Sequence, residues 1–314
     1  MTTSPSLLRE VRRTARLVYA QDTTKDRVQR LKYIIRCLIF ARQTREWFEF
    51  LENPKFGHLL QRHPRVYSKL QRPYLNHTFS SRQKLELLKN HYRFVAENFS
   101  DHMISSICTG SGWRIGGVNL EGVGEFNLFL RTGSFEKEGD FTLTLVDEQR
   151  KEAINSITFT VTHWNSERRE LLIGGLQGHH FTDEKARTIE ITRGMFGLRP
   201  KAMMVFAVQQ FATLWNITCI RAISNDMHIY RSLQKRRTVH ADYDAFWIEC
   251  GGEKDTQGSF ILPIVPPLKN IAELKPNKRT VYRKRYAMLA KLADEINGRP
   301  TTTASIQSTA ETAG

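Results

Sequence analysis

The chain has 314 residues, 40% apolar and 25% charged, a globular composition that excludes the fibrous, wholly disordered and membrane-span classes. Its net charge of +15 sits at the ends: residues 1–100 carry 20 Lys/Arg against 8 Asp/Glu, residues 101–200 carry 11 against 14, and residues 201–314 carry 16 against 10. Such a surface attracts phosphate-rich partners, whether nucleic acid, anionic lipid or a phosphorylated cofactor, without identifying which.

Arg9, Arg12, Arg13 and Arg16 interrupt the N-terminus where an export signal needs an apolar stretch. The run Tyr33–Ala41 contains Arg36 and is far shorter than the ~20 residues a span requires, so it reads as a core helix of a cytoplasmic protein. From Ser6 to about Phe99 apolar residues keep helical spacing. Val28, Leu31, Ile35, Leu38 and Ile39 form one stripe, and Leu85, Leu88, Val95 and Phe99 another, opened by Ser80 and Gln83 as a capping box. Pro54, Pro64 and Pro73 break this basic helical region, 1–108, into short helices.

At Gly110 and Gly112 helix gives way to strand. Strands are predicted at Glu125–Arg131, Phe141–Val146, Ala153–Trp164 and Glu170–Leu176, with short hairpin connections that make an antiparallel meander. A segment from Phe181 to Arg199 leads into a helix from Pro200 to Asn216. Then come a strand Thr218–Ser224, a short helix Met227–Lys235, an aromatic strand Tyr243–Cys250 and a strand near Ser259–Ile264. Strand, crossover helix and strand imply parallel pairing within a mixed α/β unit, 109–270. A basic helix spans Asn277–Asn297, within a docking segment 271–298, and 299–314 lacks apolar period and reads as a disordered tail. The four cysteines, at 37, 108, 219 and 250, form no CxxC pair, and reduced thiols are expected.

Three places carry candidate chemistry. In Leu171-Leu172-Ile173-Gly174-Gly175-Leu176-Gln177-Gly178 a strand sheds its side-chain bulk, allowing close approach of another backbone or of a ligand, with Gly175 and Gln177 as binding candidates. Next, Arg193, Gly194, Gly197, Arg199 and Lys201 surround the start of the Pro200 helix, where free N–H groups and guanidinium forks favour a phosphate or pyrophosphate. This resembles the place where the acetyltransferase superfamily known as GNAT holds the coenzyme A pyrophosphate, although the glycine here falls one position late. The order meander, helix, strand, helix, strand is similar to that fold as well. By the same resemblance Tyr230, beyond Asn225, is placed to protonate a departing thiolate, and His228 and Asp226 are in reach as general-base candidates. A half-buried aromatic facing the sheet is the alternative for Tyr230. Thirdly, Lys278, Arg279, Arg283, Lys284 and Arg285, interleaved with Tyr282 and Tyr286, can neutralise several phosphates or form a solvated helix face. His179 and His180 are neighbours with no completing ligand, so no metal site is expected. No P-loop or nucleophile elbow is present.

Four blocks together resemble the bacterial VirK/YbjX family: Ile173–Gly178, Arg199-Pro200, Tyr243–Gly252 and Lys278–Tyr286. The resemblance implies a part in virulence, in resistance to cationic antimicrobial peptides and in placing surface proteins. It implies no known reaction and no catalytic residues. The fold expected is mixed α/β, a helical N-terminal region packed on a GNAT-like mixed sheet with flanking helices. Two mechanisms stay open. One is acyl transfer from acyl-CoA or acyl-carrier protein. The other is a non-catalytic adaptor, peripheral at the inner membrane, whose basic ends meet anionic phospholipid or an acidic or phosphorylated partner. Nucleic-acid binding ranks third, for want of a recognition helix.

Overall fold

Side chains at three helix starts set the frame of the N-terminal third. Thr23 accepts the Asp26 N–H, Ser100 accepts that of Met103, and Ser80 with Gln83 forms the reciprocal capping box that the spacing predicts. The structure, a computed structural model, describes residues 6–163, 168–181, 183–231 and 242–299. Its helices here are α1 (Leu7–Val18), α2 (Thr24–Ile39), α3 (Ala41–Leu51), α4 (Gly57–Arg62), α5 (Ser81–Asn98) and α6 (Asp101–Cys108), with 3-10 turns opened by Pro54 and Pro64. Prolines start these turns because they lack an N–H that the first turn does not use.

Five antiparallel strands follow, β1 (Trp113–Leu120), β2 (Gly124–Thr132), β3 (Phe141–Asp147), β4 (Glu152–Thr162) and β5 (Glu170–Gly178). Then come α7 (Glu184–Gly194), α8 (Pro200–Leu214), β6 (Cys219–Ala222), α9 (Tyr243–Glu249), β7 (Glu253–Lys254), β8 (Phe260–Leu262) and α10 (Pro276–Asn297). The sheet has eight strands in the order β1-β2-β3-β4-β5-β6-β8-β7, and β6 joins β5 in parallel. The fold is therefore mixed α/β, with a helical N-terminal region on a mixed sheet.

The core lies where α5 and α8 meet the sheet. Phe211 of α8 contacts Phe159 and Phe141 at centroid distances of 5.1 and 6.1 Å, and Phe99 stacks on Trp215 at 5.1 Å. Each of these rings is almost fully buried, and each removes roughly 2–3 kcal/mol worth of apolar surface from water.

Five expectations change. The first strand, β1, is absent from the sequence reading because Gly116 and Gly117 dilute its pattern; a β-carbon on Gly116 would stand 3.0 Å from Ile296 and 3.1 Å from Leu292, so Gly116 makes room for α10. Helix α7 lacks an apolar stripe, burying only Arg187 and Ile191. The predicted strand Tyr243–Cys250 is helix α9: Asp242 caps it through the Ala245 N–H, and Tyr243 and Trp247, four apart, share the buried side. Aromatic richness suggested a strand, while the spacing belongs to a helix. Finally, Val28, Leu31, Ile35, Leu38 and Ile39 are not core but exposed. The predicted helix Met227–Lys235 is a 3-10 turn at Ile229–Arg231 within the described part, and 232–235, like Trp164 and the tail from 300, lies outside the described residues.

Candidate functional site

Strand β6 ends at Ala222, so β5 continues from Gly174 to Gly178 with β4 on one side and, among the described residues, no strand on the other. Three groups fill the opened edge. Tyr243 of α9 donates its hydroxyl to the Leu176 carbonyl at 3.1 Å and accepts the Leu176 N–H at 3.3 Å, replacing the lost strand at one residue. His228 stacks on Tyr243 at 5.2 Å and lies tilted against Tyr230 at 5.5 Å. Glu138, from the β2–β3 connection, fills the space that the glycines leave: a β-carbon on Gly174 would collide with the Glu138 carbonyl, and one on Gly175 with its carboxylate. The close approach predicted at these glycines is thus made by another segment of the chain.

Glu138 is fully buried and accepts one hydrogen bond, from Gln177 Nε2 at 2.9 Å. Burial pushes its pKa up to about 7, against the pull of Gln177. His228 is buried too, and burial lowers its pKa to about 4, so its ring is neutral near pH 7. His228 Nε2 lies 3.8 Å from Glu138 Oε1, and among the described residues neither it nor Glu138 Oε2 has a hydrogen-bond partner. A carboxyl that titrates near neutrality beside a neutral imidazole is suited to taking and giving a proton. Asn225 is a positioning residue here: its side chain accepts the Tyr243 N–H and donates to Asp242, fastening α9 to the end of β6.

Two residues past Glu138 stands a contrasting carboxylate. Asp140 receives Lys69 Nζ at 2.6 Å, Tyr92 at 2.9 Å, and the hydroxyls of Tyr74 and Thr160. Burial alone would raise its pKa, but the Lys69 ammonium overrides burial and holds it well below the usual carboxylate range.

Beyond Gln177 the sheet edge opens into a cavity of about 460 Å³ between Asn155, Gly178 and His179 on one side and α7 with the start of α8 on the other. Arg193, Arg199 and Lys201 line it, so the cations predicted for phosphate face a hollow. Arg199 also pairs with Glu249 and lies over Phe246. Gly194 is packed against Val123 and Leu120, and Gly197 takes a φ of +78°, where glycine is free of strain. Arg285, far away in sequence, donates to the Phe196 carbonyl at 3.0 and 2.6 Å and pins this loop, while Arg279 caps the turn before α10 through Leu274 and Ala272. Lys278, Arg283 and Lys284 stay exposed. His179 contacts Ser156 and His180 contacts Glu184, on different groups. Glu138 and Tyr243 are the residues that sequence reasoning missed, while Arg285, read there as part of a cluster for an anionic surface, instead pins the Phe196 loop; the only local sign of Glu138 is the acidic run Glu136-Lys137-Glu138-Gly139-Asp140.

The model of the family described as "Protein of unknown function (DUF535)" matches residues 22–298. The chain belongs to the DUF535 family. Among relatives of this DUF535 chain, the uncharacterized protein YbjX of Escherichia coli K12 is 36% identical over 265 residues, covering 83% of the chain and 80% of that protein. An uncharacterized protein of Haemophilus influenzae is 29% identical over 159 residues, about half of each chain. Among solved structures, a cAMP-binding acyltransferase from Mycobacterium smegmatis aligns over 68% of this chain and 62% of its own, with 10% identity and a TM-score of 0.29. The kinship read from the four sequence blocks therefore holds at the level of the family. No helix among the described residues is long and apolar enough to cross a membrane.

Proposed function

We propose that this DUF535 chain is an acyltransferase that draws its acyl group from acyl-CoA or an acyl-carrier protein. The observation that carries the reading is the cavity at the open end of β5, lined by Arg199 and Lys201 at the positive end of α8 and by Arg193 from the last turn of α7, while the Glu138–His228 pair lies buried behind Gln177, outside the lining. The cations and the helix end suit a phosphate-bearing carrier. Tyr230, half-exposed and tilted against the buried His228, suits protonation of the leaving thiolate. Gly175 and Gln177 serve by shaping and holding Glu138. Calorimetric titration with coenzyme A should give a dissociation constant that weakens about tenfold or more in an Arg193→Ala/Arg199→Ala variant, two charge-assisted contacts being lost. Absence of heat from the unaltered chain refutes the proposal.

A second reading, a non-catalytic adaptor, draws support from Lys278, Arg283 and Lys284, exposed together along α10 and suited to an acidic or phosphorylated partner or an anionic surface. The virulence and envelope-stress roles implied by the family resemblance fit either reading.

A further inference from the structure

The helix α2 turns its apolar stripe to solvent. Val28, Leu31, Ile35, Leu38 and Ile39 are 45%, 59%, 47%, 47% and 66% exposed. At 3.6 residues per turn these five fall within an arc about 100° wide. Tyr33 and Cys37, the two residues α2 buries, lie on the opposite side and already seat the helix on the protein. The stripe is therefore an apolar face left over after packing, on a helix about 24 Å long.

Charge decides what covers it. Along one border of the stripe run Lys25, Lys32 and Arg36, and these three also line a cavity of about 1030 Å³ together with Arg65, Arg72 and Lys137. Asp26 is the one carboxylate among the residues that line it. Arg27 stands on the other border, paired with Asp22. A second copy of the chain laid face to face on this helix would bring these cations against their own kind, which costs energy. A negatively charged surface with an apolar interior meets both the stripe and its borders favourably.

We propose that α2 docks on an anionic phospholipid bilayer, its stripe entering the boundary between headgroups and acyl chains and the cations of the adjoining cavity taking up lipid phosphates. The inference extends the adaptor reading to another part of the chain and uses neither the α10 cations nor the cavity beside α8, so it stands or falls on its own residues.

Co-sedimentation of the full chain with vesicles of phosphatidylcholine, with and without phosphatidylglycerol, tests it. Binding should require phosphatidylglycerol and weaken with salt. A Leu31→Gln/Ile35→Gln/Ile39→Gln variant should bind about a hundredfold more weakly, and a Lys25→Gln/Lys32→Gln variant about tenfold more weakly with a shallower salt dependence. All five side chains are exposed, so thermal melts of both variants should match the parent. Failure of the parent to bind, or unaltered binding by the triple variant, overturns the proposal. So does loss of binding in a Lys278→Gln/Arg283→Gln/Lys284→Gln variant but not in the α2 variants, which assigns the membrane contact to α10. A parent dimer that the triple variant splits, with vesicle binding unaltered, assigns the stripe to a second copy.

Discussion

Glu138 and Asp140 stand two residues apart in one loop, both withdrawn from water, and they behave as opposites. Asp140 is met by an ammonium and three hydroxyls, which return more than the hydration it lost, so it stays charged and ties the 3-10 turn at Lys69 and helix α5 to the sheet. Glu138 is met by one amide and a neutral ring 3.8 Å away. Burial without an opposite charge leaves its proton free to come and go near neutral pH. The same chemical group is thus a charged, fixed joint in one position and a carboxyl whose pKa burial raises to about 7 in the other, and the number of partners decides which.

The largest effect is expected from breaking the joint. Asp140→Asn strands the Lys69 ammonium, which is 1% exposed, and should cost about 3–5 kcal/mol in urea unfolding. If the loss is no greater than for a surface pair, the contrast between the two carboxylates is mistaken. A somewhat smaller effect is expected one strand away. Gly174→Ala places a methyl against the Glu138 carbonyl and should cost about 1–3 kcal/mol, with Glu138 displaced; a melt equal to that of the parent would mean that the loop yields freely.

The third prediction depends on pH. Because the folded pKa of Glu138, about 7, lies above the ordinary value of 4.5, the folded state holds this proton longer than the unfolded chain. The Glu138 contribution therefore falls as pH rises from about 4.5 to about 7 and is level above that. Glu138→Gln removes the titration, so the variant should match the parent at pH 4.5 and exceed it by about 1–3 kcal/mol at pH 8. His228, whose pKa is lowered to about 4, has the reverse slope and is present in both chains, so the difference between them isolates Glu138. A difference in stability that does not vary with pH would show that Glu138 is paired as firmly as Asp140.

Local pattern carried much of the fold. Alternation identified β2 to β5, the Ser80–Gln83 spacing identified the cap of α5, and Pro200 identified the start of α8, because each depends on residues within a few positions of one another. The candidate site was half legible. Glycine and arginine at 193–199 pointed to a phosphate-suited helix start from composition alone, and three of its cations line a cavity. The buried proton pair was not legible, since Glu138 looked like one more charge in a hairpin loop.

The amino-acid sequence by itself determined most of the helical and strand segments, β1, α7 and α9 excepted, where the cations lie, and that α2 has an apolar side. Only the tertiary structure decided that this side faces solvent, that Tyr243 belongs to a helix closing the edge of β5, and that Glu138 meets a histidine ninety residues further along. A periodic pattern fixes the relative direction of side chains within an element. What those side chains meet depends on contacts between distant segments, on which periodicity is silent.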